Sequence, residues 1–251
     1  MGFKDKYRVF FAFGIVLLGL VLPVYGQSDS MDLAAKYYQQ KSYDSALPLF
    51  EEADRADPQN VAILYNLGNT LYKLDRYGEA IAFYRKAMQI SPRDREIRDN
   101  LKTARARVLD RITERNSFGV RALSFFSLFT INEYLWTLFS LVFLLTVLAG
   151  FYMSGKKGEI TRNSLVILVV LIFGLAFPAA FQGYRIINGH YGVVKDQKIM
   201  VKSGPSSSFS TLFFIHEGAE LSCLKKLNKW TQIRLGNGFI GWIGNSSYVE
   251  I

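Results

Sequence analysis

One cysteine, Cys223, stands in 251 residues, so no intrachain disulfide can form and no cysteine metal cluster can be built. Histidine is nearly as scarce, with only His190 and His216. Two long apolar runs, 134–155 and 163–184, lack Asp, Glu, Lys, Arg and His altogether. That absence argues against a proton relay or ion pathway through them. Acidic charge is in deficit overall, with a net charge of +9, yet residues 27–110 hold 13 basic and 13 acidic side chains. The basic excess sits at Lys4, Lys6 and Arg8, at Arg111, Arg115 and Arg121, at Lys156, Lys157 and Arg162, and in the C-terminal part. Most of these flank apolar runs, where basic residues set orientation or meet anionic lipid. No nucleic-acid partner is expected.

Each of 134–155 and 163–184 has 22 residues, enough to cross a hydrocarbon core of about 30 Å at about 1.5 Å per residue. Both are expected to be transmembrane helices, the second kinked at Pro178. Only residues 156–162 join them, so they form an antiparallel hairpin with a cytoplasmic basic turn. Residues 1–26 combine a basic start, an apolar stretch and small residues at Val24 and Gly26. They are expected to be a signal peptide, or an uncleaved anchor. Either outcome puts both soluble parts outside the cytoplasm, in the periplasm where there is one. Residues 117–133 are aromatic and apolar but interrupted by Arg121, which suits an interfacial helix.

Residues 27–60 align with 61–94 at a period of 34. Ala46, Phe50, Ala53 and Pro58 fall on Ala80, Tyr84, Ala87 and Pro92, and Leu33, Ala34 and Tyr37 fall on Leu67, Gly68 and Leu71. This pattern resembles the tetratricopeptide repeat, with Leu64 where the family usually has tryptophan. Gly68 and Ala80 would let the two helices of a repeat approach closely, and Pro92 would end the second helix. Residues 95–116 begin a third copy and are expected to continue as a capping helix. The resemblance implies a peptide groove on the first helices of the repeats. Carried onto this chain, its lining is Tyr65, Asn69, Tyr72 and Lys73, with Tyr38 and Gln39 from the first repeat. The competing account makes the tyrosines mere packing. Lys73 is the main cation there, so a clamp for a free C-terminal carboxylate is not expected.

Residues 186–251 change to short alternating runs at 191–194, 199–201, 220–224, 231–235, 239–243 and 248–251, which read as strands of a small barrel or sandwich. Val201-Lys202-Ser203-Gly204-Pro205-Ser206, Glu217-Gly218, Trp230 with Ile233-Arg234, and Gly238-Phe239-Ile240-Gly241-Trp242-Ile243 resemble the bacterial SH3 domain. Exposed aromatics Tyr191, Trp230 and Tyr248 would form its binding surface, although Trp230 and Trp242 are also core candidates.

Catalytic motifs do not hold up. His216-Glu217-Gly218-Ala219-Glu220 nearly spells the zinc-protease H-E-x-x-H, but Glu220 stands at the second histidine and Gly218 breaks the helix. Gly204-Pro205-Ser206-Ser207-Ser208 has no P-loop lysine and no following helix. Gly236-Asn237-Gly238-Phe239-Ile240-Gly241 matches the dinucleotide pattern G-x-G-x-x-G, but too few residues remain for the unit that pattern requires. A two-residue type I′ turn at Asn237-Gly238 is the expected alternative. Cys223 alternates inward on an apolar strand. No metal, cofactor or catalytic residue is expected, and the chain reads as a non-enzyme.

The expected fold is therefore a multidomain membrane protein: an all-α tetratricopeptide-repeat helical array (27–116), a two-helix transmembrane hairpin and a small all-β SH3-like barrel (186–251). This order resembles the Bat-family E proteins of the Bacteroides-aerotolerance operons. That resemblance implies an adaptor of the inner (cytoplasmic) membrane with sister Bat proteins and a MoxR-type ATPase as partners, in envelope stress tolerance. The alternative is a cell-wall protein that binds peptidoglycan peptides through the SH3-like domain.

Overall fold

The computed structural model describes residues 29–110, 126–153 and 158–251. The signal segment 1–26, residues 117–125 of the expected interfacial segment, Lys156 and Lys157 of the basic turn, and Arg111, Arg115 and Arg121 lie outside the described residues.

Five helices build the first unit: α1 (Asp29–Gln39), α2 (Tyr43–Ala56), α3 (Val61–Lys73), α4 (Tyr77–Ile90) and α5 (Arg95–Arg105). The repeat recurs in backbone detail as well as in composition. Asn60 caps α3 by accepting from the Ala62 and Ile63 amides, and Asp94, 34 residues on, caps α5 the same way through Glu96 and Ile97. Lys41 and Asp75, also 34 residues apart, take φ of 61° and 59° just after α1 and α3. There the Ser42 amide reaches the Tyr37 carbonyl and the Arg76 amide the Leu71 carbonyl, which closes each helix with a left-handed residue. Small residues let the helices touch: a Cβ on Gly68 would lie 2.6 Å from the Tyr84 ring. Ala46, Phe50, Ala53, Leu67, Leu71, Ala80, Ile81, Tyr84, Ala87, Ile97 and Leu101 fill the core.

Helices α6 (Ile131–Met153) and α7 (Glu159–Asn188) follow. Over Ile131–Met153 and Arg162–Tyr184 they are long and apolar enough to cross a membrane. They pack on one another and leave Phe143, Phe173 and Phe177 exposed. The hairpin starts three residues earlier than expected, because Thr130 and Glu133 form a reciprocal capping box: the Glu133 amide donates to Thr130 Oγ1 at 3.3 Å and the Thr130 amide to Glu133 Oε2 at 2.8 Å. Residues 131–133 of the expected interfacial segment thus belong to α6. Helix α7 continues through Pro178 to Asn188.

The last unit is a seven-stranded antiparallel sheet: β1 (Tyr191–Val194), β2 (Lys198–Lys202), β3 (Thr211–His216), β4 (Glu220–Leu227), β5 (Trp230–Leu235), β6 (Ile240–Gly244) and β7 (Tyr248–Glu250), with a short 3-10 turn at Asn245–Ser247. Its order is β3-β2-β6-β5-β4-β1-β7. Ile199, Val201, Ile215, Leu221, Ile233, Leu235 and Ile243 make its core. Strand β3 is an addition to the expected set. It lies at the sheet edge and alternates in burial, but its outward positions 212 and 214 carry Leu and Phe, so the polar-apolar alternation that marks a half-buried strand is missing from the sequence.

The expected type I′ turn is corrected. Of Asn237 and Gly238 only Gly238 has positive φ, at 94°. The Gly238 amide donates to the Leu235 carbonyl at 2.8 Å and the Leu235 amide to the Phe239 carbonyl at 2.9 Å. That is a three-residue loop with glycine in the left-handed bulge position, and Asn237 Oδ1 supports it by accepting from the Phe239 amide.

Array and sheet share a boundary. Val193 of β1 sits in the helical core, with Val108, Val249 and Ile251 packed beside it. A Cβ on Gly78 would collide with the Val194 carbonyl oxygen, so α4 touches backbone at that point. Across this boundary every polar side chain of His216-Glu217-Gly218-Ala219-Glu220 is engaged. Asp110 Oδ2 accepts from the His216 amide at 2.6 Å, and its Oδ1 lies 3.2 Å from the ring Nδ1. Glu217 Oε1 accepts from the Gly78 amide at 2.7 Å. Glu220 pairs with Arg85 at 3.2 Å and accepts from Arg105 Nε at 2.7 Å. A sequence that imitates a zinc-protease motif is here a clamp between two units.

Candidate functional site

The inner side of the array is a groove of about 270 Å³ lined by Tyr38, Tyr65, Asn69, Tyr72, Lys73, Tyr84, Asn100 and Thr103. Helix α1 supplies Tyr38, and α3 supplies four side chains at helical spacing, so one face of α3 floors the groove. Hydrogen bonds fix these groups. Asn69 Oδ1 accepts from the Tyr84 hydroxyl at 2.7 Å and from Asn100 Nδ2 at 2.9 Å, and Asn100 Nδ2 also donates to the Tyr65 hydroxyl at 2.9 Å. The Tyr65 and Tyr84 rings lie 6.2 Å apart. At one end the Arg107 guanidinium donates to the Tyr72 hydroxyl at 3.2 Å, and Tyr72 meets Tyr77 edge-on at 5.4 Å.

Burial raises the Tyr84 phenol far above its ordinary value, and the neighbouring Tyr65, Tyr38 and Tyr72 add to that. It stays a neutral donor to Asn69. Burial also raises the Tyr38 phenol, with Tyr43 and Tyr65 adding to it. The wall is thus hydroxyls, carboxamides and aromatic faces with Lys73 as a cation. Such a surface can pair with the amides and carbonyls of an extended peptide and stack on its side chains.

Of the groove residues expected from sequence, Tyr38, Tyr65, Asn69, Tyr72 and Lys73 come together here, whereas Gln39 is exposed at the end of α1 and outside the lining. Tyr84, Asn100 and Thr103 were missed. A signal existed for each. Thr103 stands 34 residues after Asn69, so the repeat register carried onto α5 reaches it. Asn100 is the counterpart of Asn66. Tyr84 falls on Phe50, and the added hydroxyl marks a position with more than packing to do.

On the sheet, Tyr191 and Trp230 are half-buried. Tyr248 is only 8% exposed, and its hydroxyl lies 3.1 Å from Thr231 Oγ1, so it belongs to the core and not to a binding surface. Burial pushes the Cys223 thiol up, opposite to what a thiolate nucleophile needs. Among the described residues no cluster of three His, Cys, Asp or Glu side chains could hold a metal ion.

Comparison with known proteins agrees with the helical half. Residues 37–105 match the tetratricopeptide repeat family model. A solved MamA variant aligns at 27% identity, covering 31% of this chain and 42% of that one, with a TM-score of 0.30. A tetratricopeptide repeat domain protein from Salinibacter ruber aligns at 29% identity, covering 30% of this chain and 77% of that one, with a TM-score of 0.26. A curated relative, the Bacillus subtilis (strain 168) protein YrvJ, provisionally named an N-acetylmuramoyl-L-alanine amidase, is 29% identical over 82 residues. That match takes in 33% of this chain and 16% of YrvJ, so the chain spans only a small part of the curated relative. Among the described residues, the five helices before the apolar hairpin form a helical tetratricopeptide-repeat-like array, with the family match over residues 37–105.

Proposed function

We propose that this chain is a membrane-anchored adaptor of the bacterial envelope, whose repeat groove captures a peptide segment of another protein. The observation that carries the proposal is the groove itself: eight side chains from four helices, ordered by a hydrogen-bond network, present polar and aromatic groups to one cavity. Helices α6 and α7 span the bilayer as a hairpin with its turn in the cytoplasm, and both soluble units face the periplasm. The resemblance to Bat-family E proteins supports sister envelope proteins of that family as partners, in tolerance of oxygen or envelope stress. The chain is a scaffold and not a catalyst: His216, Glu217 and Glu220 are spent on contacts with the array.

Crosslinking in native membranes, followed by identification of the captured proteins, tests the adaptor reading. Envelope proteins are the expected catch, and recovery of none would contradict it. Orientation has a separate test: alkaline phosphatase fused after Ile251 should be active.

A second reading makes the sheet a cell-wall binding module, and the partial likeness to YrvJ favours it. Saturable binding of the full chain to purified peptidoglycan, lost on change of Trp230, would support this reading; no binding would remove it.

A further inference from the structure

The tip of the β4–β5 hairpin is Lys225-Lys226-Leu227-Asn228-Lys229-Trp230, and the groove makes no use of it. Lys225, Lys226, Leu227 and Lys229 are exposed, and Trp230 is half-buried. Leu227 pairs directly with Trp230 across the hairpin, which puts their side chains on one face. The tip is held in shape: Asn228 takes φ of 53°, Asn245 Nδ2 donates to the Asn228 carbonyl at 2.8 Å, and the Asn245 amide donates to the Lys229 carbonyl at 2.9 Å.

Register says where this tip points. Strand β1 starts at Tyr191, with only Gly189 and His190 between it and the end of α7. Tyr191 lies opposite Ser222 of antiparallel β4, so everything after Ser222 runs back past the start of β1 toward the hairpin. The Cys223 amide already reaches the His190 carbonyl, at 2.7 Å. From Ser222 to Leu227 is five residues, or about 16 Å at roughly 3.3 Å each. A second tie gives the same direction. Arg93, just after α4, pairs with Glu133 at the start of α6 and covers the Phe129 ring at 5.6 Å, whereas Gly78 at the other end of α4 touches Val194 at the far end of β1. Strand β1 therefore leads away from the apolar hairpin while α4 leads back toward it, and the β4–β5 tip, antiparallel to β1, leads toward it as well.

Charge matches that position. Lys226 pairs with Glu250 at 2.5 Å, and His190 Nδ1 lies 3.6 Å from the same carboxylate. Lys225 and Lys229 have no ion pair among the described residues. Cationic side chains beside an exposed leucine and an aromatic ring suit a surface of anionic headgroups over hydrocarbon.

We propose that the β4–β5 tip docks on the anionic phospholipid surface of the bilayer that α6 and α7 cross, with Lys225 and Lys229 on headgroup phosphates and Leu227 at the interface. This rests on the reading of α6 and α7 as membrane-spanning. Docking fixes the clamped array and sheet in one pose, so that the groove is held at a set orientation above the membrane.

The test uses the full chain with Cys223→Ser, reconstituted in vesicles and labelled with an environment-sensitive fluorophore at Leu227→Cys or, at the opposite end of β5, Asn237→Cys. Quenching by headgroup-proximal spin-labelled lipid at the Leu227 site should be about twofold stronger with phosphatidylglycerol present than in phosphatidylcholine alone. The combined Lys225→Gln and Lys229→Gln changes should remove that difference, and the Asn237 site should show none. Equal quenching at both sites in a chain that resists alkaline carbonate extraction would overturn the docking and leave the anchor standing. Extraction of the chain by carbonate would overturn the anchor and the docking with it.

Discussion

The Glu217 carboxylate, on the turn between β3 and β4, accepts the Gly78 amide at 2.7 Å and so caps a helix 139 residues away in the chain. Helix α4 has no capping side chain of its own. Arg76 stands at its N-cap position and is turned to Glu79, with bonds of 2.8 and 2.7 Å. The sheet thus completes a helix of the array, placing a carboxylate where the helix dipole favours negative charge.

Removing that cap should loosen both units. Glu217→Ala is expected to cost about 0.5–2 kcal/mol, in the range of other lost N-caps. Denaturant unfolding of the purified chain measures it. Equal stability of the variant would show that the contact contributes nothing.

The same residue makes the boundary sensitive to pH. Burial holds the Glu217 carboxyl above its usual range; the Gly78 and Tyr77 amides pull it down and Glu79 pushes it up. The folded state then takes up a proton more readily than the unfolded one, so this group's contribution falls as pH rises from the ordinary carboxylate value through the raised one. Stability measured across that window should decline toward higher pH in the native chain, and Glu217→Gln should flatten the decline.

Gly78→Ala separates propensity from packing. In an exposed helix this change stabilises by about 1 kcal/mol. Here the new methyl would strike the Val194 carbonyl and the Glu217 side chain. A net loss of about 1–3 kcal/mol is expected instead. Thermal unfolding gives the sign, and a more stable variant would refute the tight boundary.

Groove order is tested by two changes at one hydrogen bond. Tyr84→Phe leaves Asn69 Oδ1 still bonded to Asn100 and should cost about 0.5–1.5 kcal/mol. Asn69→Leu strands the buried Tyr84 hydroxyl and leaves the Asn100 amide with Tyr65 alone, and should cost more, about 1–3 kcal/mol. Chemical denaturation of both variants ranks them, and the reverse order would mean that the network is not what holds the wall.

The helical array was legible in the sequence because close helix packing demands small residues at fixed places, and Ala46, Ala80 and Gly68 mark them at one period. The left-handed residues were not, since Lys41 and Asp75 stand where glycine is the usual signal. Groove positions on α3 followed from the resemblance to the tetratricopeptide repeat, whereas Tyr84 was hidden behind its role as a buried ring. At Asn237-Gly238 the dipeptide favoured a two-residue turn, but pairing of Leu235 with Phe239 leaves three residues in the loop and selects the bulged form. Glu217 was invisible as a cap because nothing local connects it with Gly78. Only the fold brings them together.

The central claim is that the groove holds a partner's peptide. It is tested most directly by a photo-crosslinking amino acid placed at Tyr72, on the groove wall, and separately at Gln89, an exposed position on α4 outside the lining. In native membranes the Tyr72 site should give adducts that map to one segment of an envelope protein, and the Gln89 site should not. No adduct at Tyr72, or the same adducts at both sites, would contradict the account.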